Sequence, residues 1–142
     1  MIHPQIAEVP RGLQEPPQGP IDPALLRAAD EAQVPPVEER LPLQAVQDSM
    51  VGDVPVRIYT PARADEYAVL VYIRGGAVFR GSLETHDHVA RSLAKATGCK
   101  VIAVDYRRAP EHVFPAGLQD CYSVVRWVVE HGSIDVMRAN YD

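Results

Sequence analysis

Arg74-Gly75-Gly76-Ala77, followed by Gly81-Ser82, is the stretch of this 142-residue sequence whose residue types and spacing best suit chemistry. It follows an apolar run, Ala68 to Ile73, and precedes a segment patterned as a helix. Adjacent glycines at such a junction leave backbone N–H groups unshielded by side chains, and neighbouring N–H groups can hold a negatively charged oxygen. A pocket of that kind serves a nucleophile whose attack creates the charge.

Four other groups of residues bear chemistry, and each has a plainer reading. Ser82 with His86 or His88 as base reads as a loop-tightening serine before two exposed histidines, because residues two apart on a helix do not converge. The same spacing weakens His86-Asp87-His88 as a metal site. Glu111-His112 resembles an acid–base pair, yet sequence neighbours rarely point together. Asp105 stands at the carboxyl end of a strand, where α/β folds place ligands, and reads as a structural hydrogen-bond partner of the following turn.

The elements that must position these residues are punctuated clearly. Asp22 as N-cap and Pro23 at the first helical position predict a short helix to about Ala32, ended by Pro35 and Pro36. Residues 43–61 read as two strands around a Gly52-Asp53 turn. Val54, Val56 and Ile58 alternate with Pro55, Arg57 and Tyr59, as in a strand with one buried face, and Pro55 suggests a position near a sheet edge. Ala68 to Ile73 and Lys100 to Tyr106 are continuous apolar runs, as in parallel strands covered on both faces. Between them a helix is predicted with Thr85 as N-cap, Asp87 in its first turn, Val89, Leu93, Ala94 and Ala96 on one side, and Gly98 just past its end. A further helix from about Gly117 to His131 carries Leu118, Cys121, Tyr122, Val125, Val128 and Val129 on one apolar face and stops at Gly132. Tyr122 and Trp127 read as core.

Composition bounds the rest. With 46% hydrophobic and 23% charged residues the chain has the make-up of one globular domain. Nine of its 13 prolines lie within residues 1–42, which divides it into a Pro-rich N-terminal arm, 1–42, and a core, 43–142. A net charge of -5 with scattered Lys and Arg argues against nucleic acid as a partner. No apolar run is long enough to span a bilayer, and no basic-then-apolar leader opens the sequence, so a cytoplasmic location is expected. Cys99 and Cys121 read as buried free thiols. Neither the dinucleotide fingerprint nor the phosphate-loop pattern occurs, and no metal or cofactor is expected.

Two stretches together resemble the hormone-sensitive-lipase branch of the α/β-hydrolase esterases. In that family a strand ends in His-Gly-Gly-Gly or His-Gly-Gly-Ala, followed by Gly-Ser and a helix; here Arg74 to Ala77 and Gly81-Ser82 stand in those places. Val101 to Cys121, "VIAVDYRRAPEHVFPAGLQDC", matches the family's Asp-Tyr-Arg-Leu-Ala-Pro-Glu-His-x-Phe-Pro-Ala segment nearly residue for residue, departing at Arg108, where Leu is usual. The resemblance covers about residues 22–138. It implies the N-terminal half of an α/β-hydrolase fold: a mostly parallel sheet of order 1-2-4-3, with an antiparallel first hairpin, flanking helices and the arm as a cap remnant.

The resemblance also implies roles. Gly76 and Ala77 would supply the oxyanion-hole N–H groups, Ala77 with a negative φ, while Arg74, Gly75, Gly81 and Ser82 support the loop. Arg74 replaces the histidine that braces this loop in the family. The family's nucleophile sits in a Gly-x-Ser-x-Gly elbow, with Asp and His partners later still. No such elbow occurs in the sequence, so no catalytic residue is expected in this chain, although Ile134-Asp135 and Arg138 match the lead-in to the elbow strand. The expected activity is that of a partial carboxylic-ester hydrolase acting on a small ester if completed; the alternative is a non-catalytic hydrolase-like subunit or small-molecule-binding module. In a 1-2-4-3 sheet, the strand Ala68–Ile73 would lack its second neighbour. That uncharged edge predicts self-association or pairing with a second hydrolase-type chain.

Overall fold

The computed structural model describes residues 19–64 and 66–131. Helix α1, Pro23–Glu31, opens the described chain. The Asp22 carboxylate accepts from the amides of Ala24 at 2.8 Å and Leu25 at 3.4 Å, which caps the helix as the sequence predicts. A single 3-10 turn, Val37–Glu39, then leads into the sheet.

Strands β1, Ala45–Val51, and β2, Val54–Thr60, form the antiparallel hairpin expected around Gly52-Asp53. Strand β3, Val69–Tyr72, pairs in parallel with β4, Lys100–Val104. The four strands lie in the order β1-β2-β4-β3, a mixed sheet. Strand β2 is therefore an inner strand, next to the edge strand β1. Pro55 is tolerated because it lies beyond the last β4 pair, Val56 with Val104, and its carbonyl accepts from the Asp105 amide at 3.0 Å.

Helix α2, Asp87–Thr97, and helix α3, Ala116–His131, cover opposite faces of the sheet. Every residue of β4 is buried. Ile102 and Val104 face α3 with Val56, Cys121 and Val124. Val101 and Ala103 face α2 with Ala90 and Ala94. Each buried branched side chain in this strand contributes about 1.5–3 kcal/mol. The two-sided apolar run at 100–106 is thus explained by two helical layers.

Four sequence expectations need correction. Tyr59 is fully buried on the face assigned to solvent, because α2 lies over it and Asp87 accepts its hydroxyl proton at 3.0 Å. The N-cap of α2 is His86, not Thr85; the Thr85 hydroxyl is engaged with Ser82, accepting its amide proton at 2.8 Å. Helix α3 does not bury one continuous apolar face. Cys121 and Val124 turn inward, with Trp127 and Val128 packed against the core, while Leu118, Tyr122 and Val129 are exposed. The helix is apolar over more of its circumference than one sheet face can cover. Both cysteines are free, and Cys121 is buried, but Cys99 is half-exposed. Gly132, Ile134, Asp135, Arg138 and residues 1–18 of the N-terminal arm lie outside the described residues.

The start of α2 is held by a network around one carboxylate. The Asp87 side chain, 2% exposed, is bonded by Arg91 at 2.5 Å and Tyr59, and Arg40 and Arg57 stand at 3.4 and 3.7 Å. The same two arginines clasp Glu84, each at 2.7 Å. Burial alone would raise the Glu84 pKa, and the hydrogen bonds from Arg40 and Arg57 more than offset that, holding it below its ordinary 4.5.

Replacing Asp87 by Ala would leave three arginines facing an empty position, so Asp87→Ala should lower stability by about 3–5 kcal/mol, read as a shift in urea midpoint. Glu84, whose folded pKa is depressed, contributes stability that is fully present above its unfolded value and is lost as pH falls through the folded one. Between about pH 6 and 3 the parent protein should therefore lose more stability than Glu84→Gln does; equal losses would refute this role for Glu84.

Candidate active site

Residues 73–81 connect β3 to the segment leading into α2, at the carboxyl end of β3. The Gly76 carbonyl accepts from the amides of Phe79 at 3.1 Å and Arg80 at 2.7 Å, closing a tight turn. The Gly75 carbonyl turns toward the Arg74 guanidinium at 3.3 Å. Both following peptides are trans, and in a trans peptide the C=O and N–H point in opposite directions. The amides of Gly76 and Ala77 are consequently directed away from the loop interior, and among the described residues neither finds an acceptor. Both residues line two adjoining cavities. One, of about 510 Å³, is walled by Asp30, Gln33, Arg80, Thr85 and His86; the other, of about 520 Å³, by Ile73, Val78, Phe114 and Leu118.

The backbone that achieves this is strained. Gly76 has φ +124, and a Cβ there would stand 2.2 Å from the Arg80 carbonyl oxygen, so glycine is required. Ala77 and Val78 have φ +49 and +62. The negative φ expected at Ala77 is therefore not found. Left-handed conformations of non-glycine residues cost about 1–2 kcal/mol each, and here the turn around the Gly76 carbonyl imposes them.

Arg74 lies beneath the loop with its side chain 1% exposed. Its Nη1 donates to the Arg80 carbonyl at 2.8 Å, and its guanidinium stacks 4.3 Å from the Tyr106 ring centroid. The Tyr106 hydroxyl donates to the Arg74 carbonyl at 3.0 Å. Among the described residues Nε and Nη2 have no hydrogen-bond acceptor. Asp105 Oδ1 is 3.5 Å from Nη2, close enough to offset the charge but not placed as a hydrogen-bond acceptor. The Asp105 side chain thus faces Arg74 and not the turn that follows it.

Two further arginines hold the loop from outside. Arg27, on α1, donates to the Phe79 carbonyl at 2.7 Å and the Ala109 carbonyl at 2.6 Å, and forms a bidentate pair with Glu111. Arg108 donates to the Gly81 carbonyl at 2.6 Å. Asp30 pairs with Arg80, and the Ser82 hydroxyl donates to Glu31 at 2.5 Å. Sequence reasoning missed Arg27, Asp30 and Glu31, which carry no motif. Arg108 was visible only as a departure from the family pattern.

The alternative pairs do not assemble. Ser82 Oγ is bonded to Glu31 and to the Thr85 amide, not to a histidine, while His86 Nδ1 lies 2.9 Å from the Thr85 hydroxyl and His88 is exposed. Burial first, then the Arg74 charge, lowers the His86 pKa. Asp87 turns into its arginine network, away from both histidines. Glu111 is held at about 2 chiefly by its Arg27 hydrogen bonds, the state of an ion-pair partner and not of a proton shuttle. Among the described residues no cluster of three or more His, Cys, Asp or Glu suits a metal ion, and no helix is long and apolar enough to cross a membrane.

A family model described as the alpha/beta hydrolase fold matches residues 70–140, half of the sequence. This chain belongs to the α/β-hydrolase family. Its relatives include carboxylesterase NlhH of Mycobacterium tuberculosis, 43% identical over 101 residues, a match covering 67% of this chain and 32% of the relative. An arylesterase of Saccharolobus solfataricus is 40% identical over 75 residues, 53% of this chain and 24% of its own length. Among solved structures, a hyperthermophilic esterase from the archaeon Pyrobaculum calidifontis superposes with a TM-score of 0.71 at 34% identity, covering 80% of this chain and 39% of that one. The chain spans about a third or less of the length of these curated relatives. The hormone-sensitive-lipase-like resemblance of residues 74–82 and 101–121 and the 1-2-4-3 sheet are thus both upheld.

Because a methyl group at position 76 meets backbone, not a movable side chain, Gly76→Ala should cost about 1–3 kcal/mol and broaden or shift the amide resonances of residues 75–81. An unchanged urea midpoint together with unchanged loop resonances would contradict the geometry given for the turn.

Proposed function

We propose that this chain is the oxyanion-loop half of a serine-dependent carboxylic-ester hydrolase acting on small esters. In this reading Gly76 and Ala77 donate their N–H groups to the oxyanion of a tetrahedral intermediate. Arg74, Gly75, Gly81 and Ser82 support that loop. The Ser, Asp and His of the triad come from outside these 142 residues, and a second hydrolase-type chain is the source we propose. What supports the reading is the pair of unengaged amides at Gly76 and Ala77, carried on the segment that the carboxylesterase relatives share.

The proposed docking surface is the free edge of the strand region Ala68–Ile73. Among the described residues β3 pairs with β4 alone, and apolar Ile73, Val78, Phe114 and Leu118 flank it on the cavity wall. A strand added there would satisfy the edge amides and carbonyls of β3, and a helix beside it would cover the outer face of α3. Self-association through the same edge is the competing outcome.

A second reading, a hydrolase-like subunit that binds a small molecule without hydrolysing it, is favoured by one observation. Arg74 is a permanent buried charge where the family has a neutral-capable histidine.

The protein should be purified gently from its source, examined by native mass spectrometry, and treated with a fluorophosphonate that labels activated serines. The expected result is a complex in which a partner bearing Gly-x-Ser-x-Gly is labelled, this chain is not, and p-nitrophenyl butyrate is hydrolysed only by the complex. A homo-oligomer without label or hydrolysis would overturn the esterase reading and leave the binding module.

A further inference from the structure

Three consecutive carbonyls of the loop, those of Phe79, Arg80 and Gly81, are each taken by a different guanidinium: Arg27 from α1, Arg74 from the end of β3, and Arg108 from the segment after β4. The donors come from three separate parts of the chain, so chance proximity along the sequence does not explain the pattern. The Phe79–Arg80 peptide is also held at its other end, because the Arg80 amide donates to the Gly76 carbonyl at 2.7 Å. A peptide fixed at both ends of its plane cannot flip, and flipping of this one would break the turn and let the Gly76 carbonyl swing outward, while the Arg74 and Arg108 contacts hold the next two carbonyls. An outward Gly76 carbonyl would present oxygen, not N–H, at the place where an anion must sit.

We propose that Arg27 and Arg108, with Arg74, are positioning residues of the oxyanion loop, and that α1 is required to hold the site in its donor orientation. Arg27 does this with two separate donors, Nε on Phe79 and Nη2 on Ala109, so it ties the loop to the segment beside it. Glu111 orients the Arg27 fork through a bidentate pair. Arg108 acts through one donor on one carbonyl. Each of these arginines acts on the loop through a backbone carbonyl. The inference rests on residues 74–81 being a donor loop, as proposed above, but not on the chain hydrolysing anything.

The chemistry of the two side chains gives a discriminating test. Lysine offers a point charge that can serve one carbonyl but not two held in fixed directions. The variants Arg27→Gln, Arg27→Lys, Arg108→Gln and Arg108→Lys would be compared in the full chain by amide hydrogen exchange. The readout is the exchange of Phe79 and Arg80, whose amides bond the Gly76 carbonyl, against that of Ile102 and Ala103 in β4. Arg27 and Arg108 are both on the surface side of the loop, and their replacement leaves the sheet core untouched. Arg27→Gln, Arg27→Lys and Arg108→Gln should each speed exchange at Phe79 and Arg80 by about tenfold or more with Ile102 and Ala103 unchanged, and Arg108→Lys should restore the parent rate. Equal acceleration at the loop and in β4 would make the arginines general stabilisers and overturn the proposal, as would loop exchange unaffected by either Gln variant. A chain that shows the expected exchange pattern but joins no hydrolytic complex would keep the positioning role and remove the esterase reading.

Discussion

A guanidinium buried under a glycine loop is the constraint to which the rest of the site conforms. Burial of a guanidinium without partners would cost several kcal/mol. The carboxylate nearest Arg74, that of Asp105, stands off at 3.5 Å, so the carbonyl of Arg80 and the face of Tyr106 provide the closest compensation. Two residues in left-handed conformation, Ala77 and Val78, cost about 1–2 kcal/mol each. The loop therefore accepts backbone strain because the alternative is a larger electrostatic penalty. Carbonyls turned in toward the arginine and amides turned out toward the cavities are two consequences of the same peptide planes.

The ends of the 73–86 segment are fixed by different means. Upstream, β3 is locked to β4 by a parallel ladder over four residue pairs. Downstream, Asp87 sits at the first turn of α2, where the helix dipole favours an anion, and its arginine shell is drawn from β2, α2 and the segment after α1. Helix α1, with only nine residues, has no buried residue of its own. Its attachment to the core is instead polar, through Arg27, Asp30 and Glu31. A short helix held by charge pairs over half-buried positions is more easily detached than α3, which packs on the sheet through Cys121 and Val124.

Legibility in the sequence followed how local each determinant was. The Asp22-Pro23 helix start, the Gly52-Asp53 hairpin and the Gly98 stop depend on residues within a few positions of one another, and all three stand where the sequence places them. The resemblance at residues 101–121 supplied the strand order, which no local pattern contains. What failed was non-local. Tyr59 is buried because a helix nearly thirty residues later lies over it, and a period-two pattern in β2 carries no trace of that. Ala77 adopts a positive φ because of the turn around the Gly76 carbonyl, whereas residue type alone argued for a negative one. Arg27 reads as an ordinary surface arginine until the fold brings Phe79 and Ala109 to it.

The exposed face of α3 has the same origin as the free edge of β3. Among the described residues the sheet has four strands and ends at β3, too narrow to cover a helix whose circumference carries Leu118, Tyr122, Val125 and Val129 as well as Cys121 and Val124. One further strand beside β3, with its own helix, would satisfy the backbone edge and the side chains together. Because the donor loop springs from the carboxyl end of β3, whatever pairs with that strand also arrives next to Gly76 and Ala77. In the reading proposed here, closing the sheet and completing the chemistry are one event: the group that creates an oxyanion enters at the only side of the loop where the amides are free to receive it.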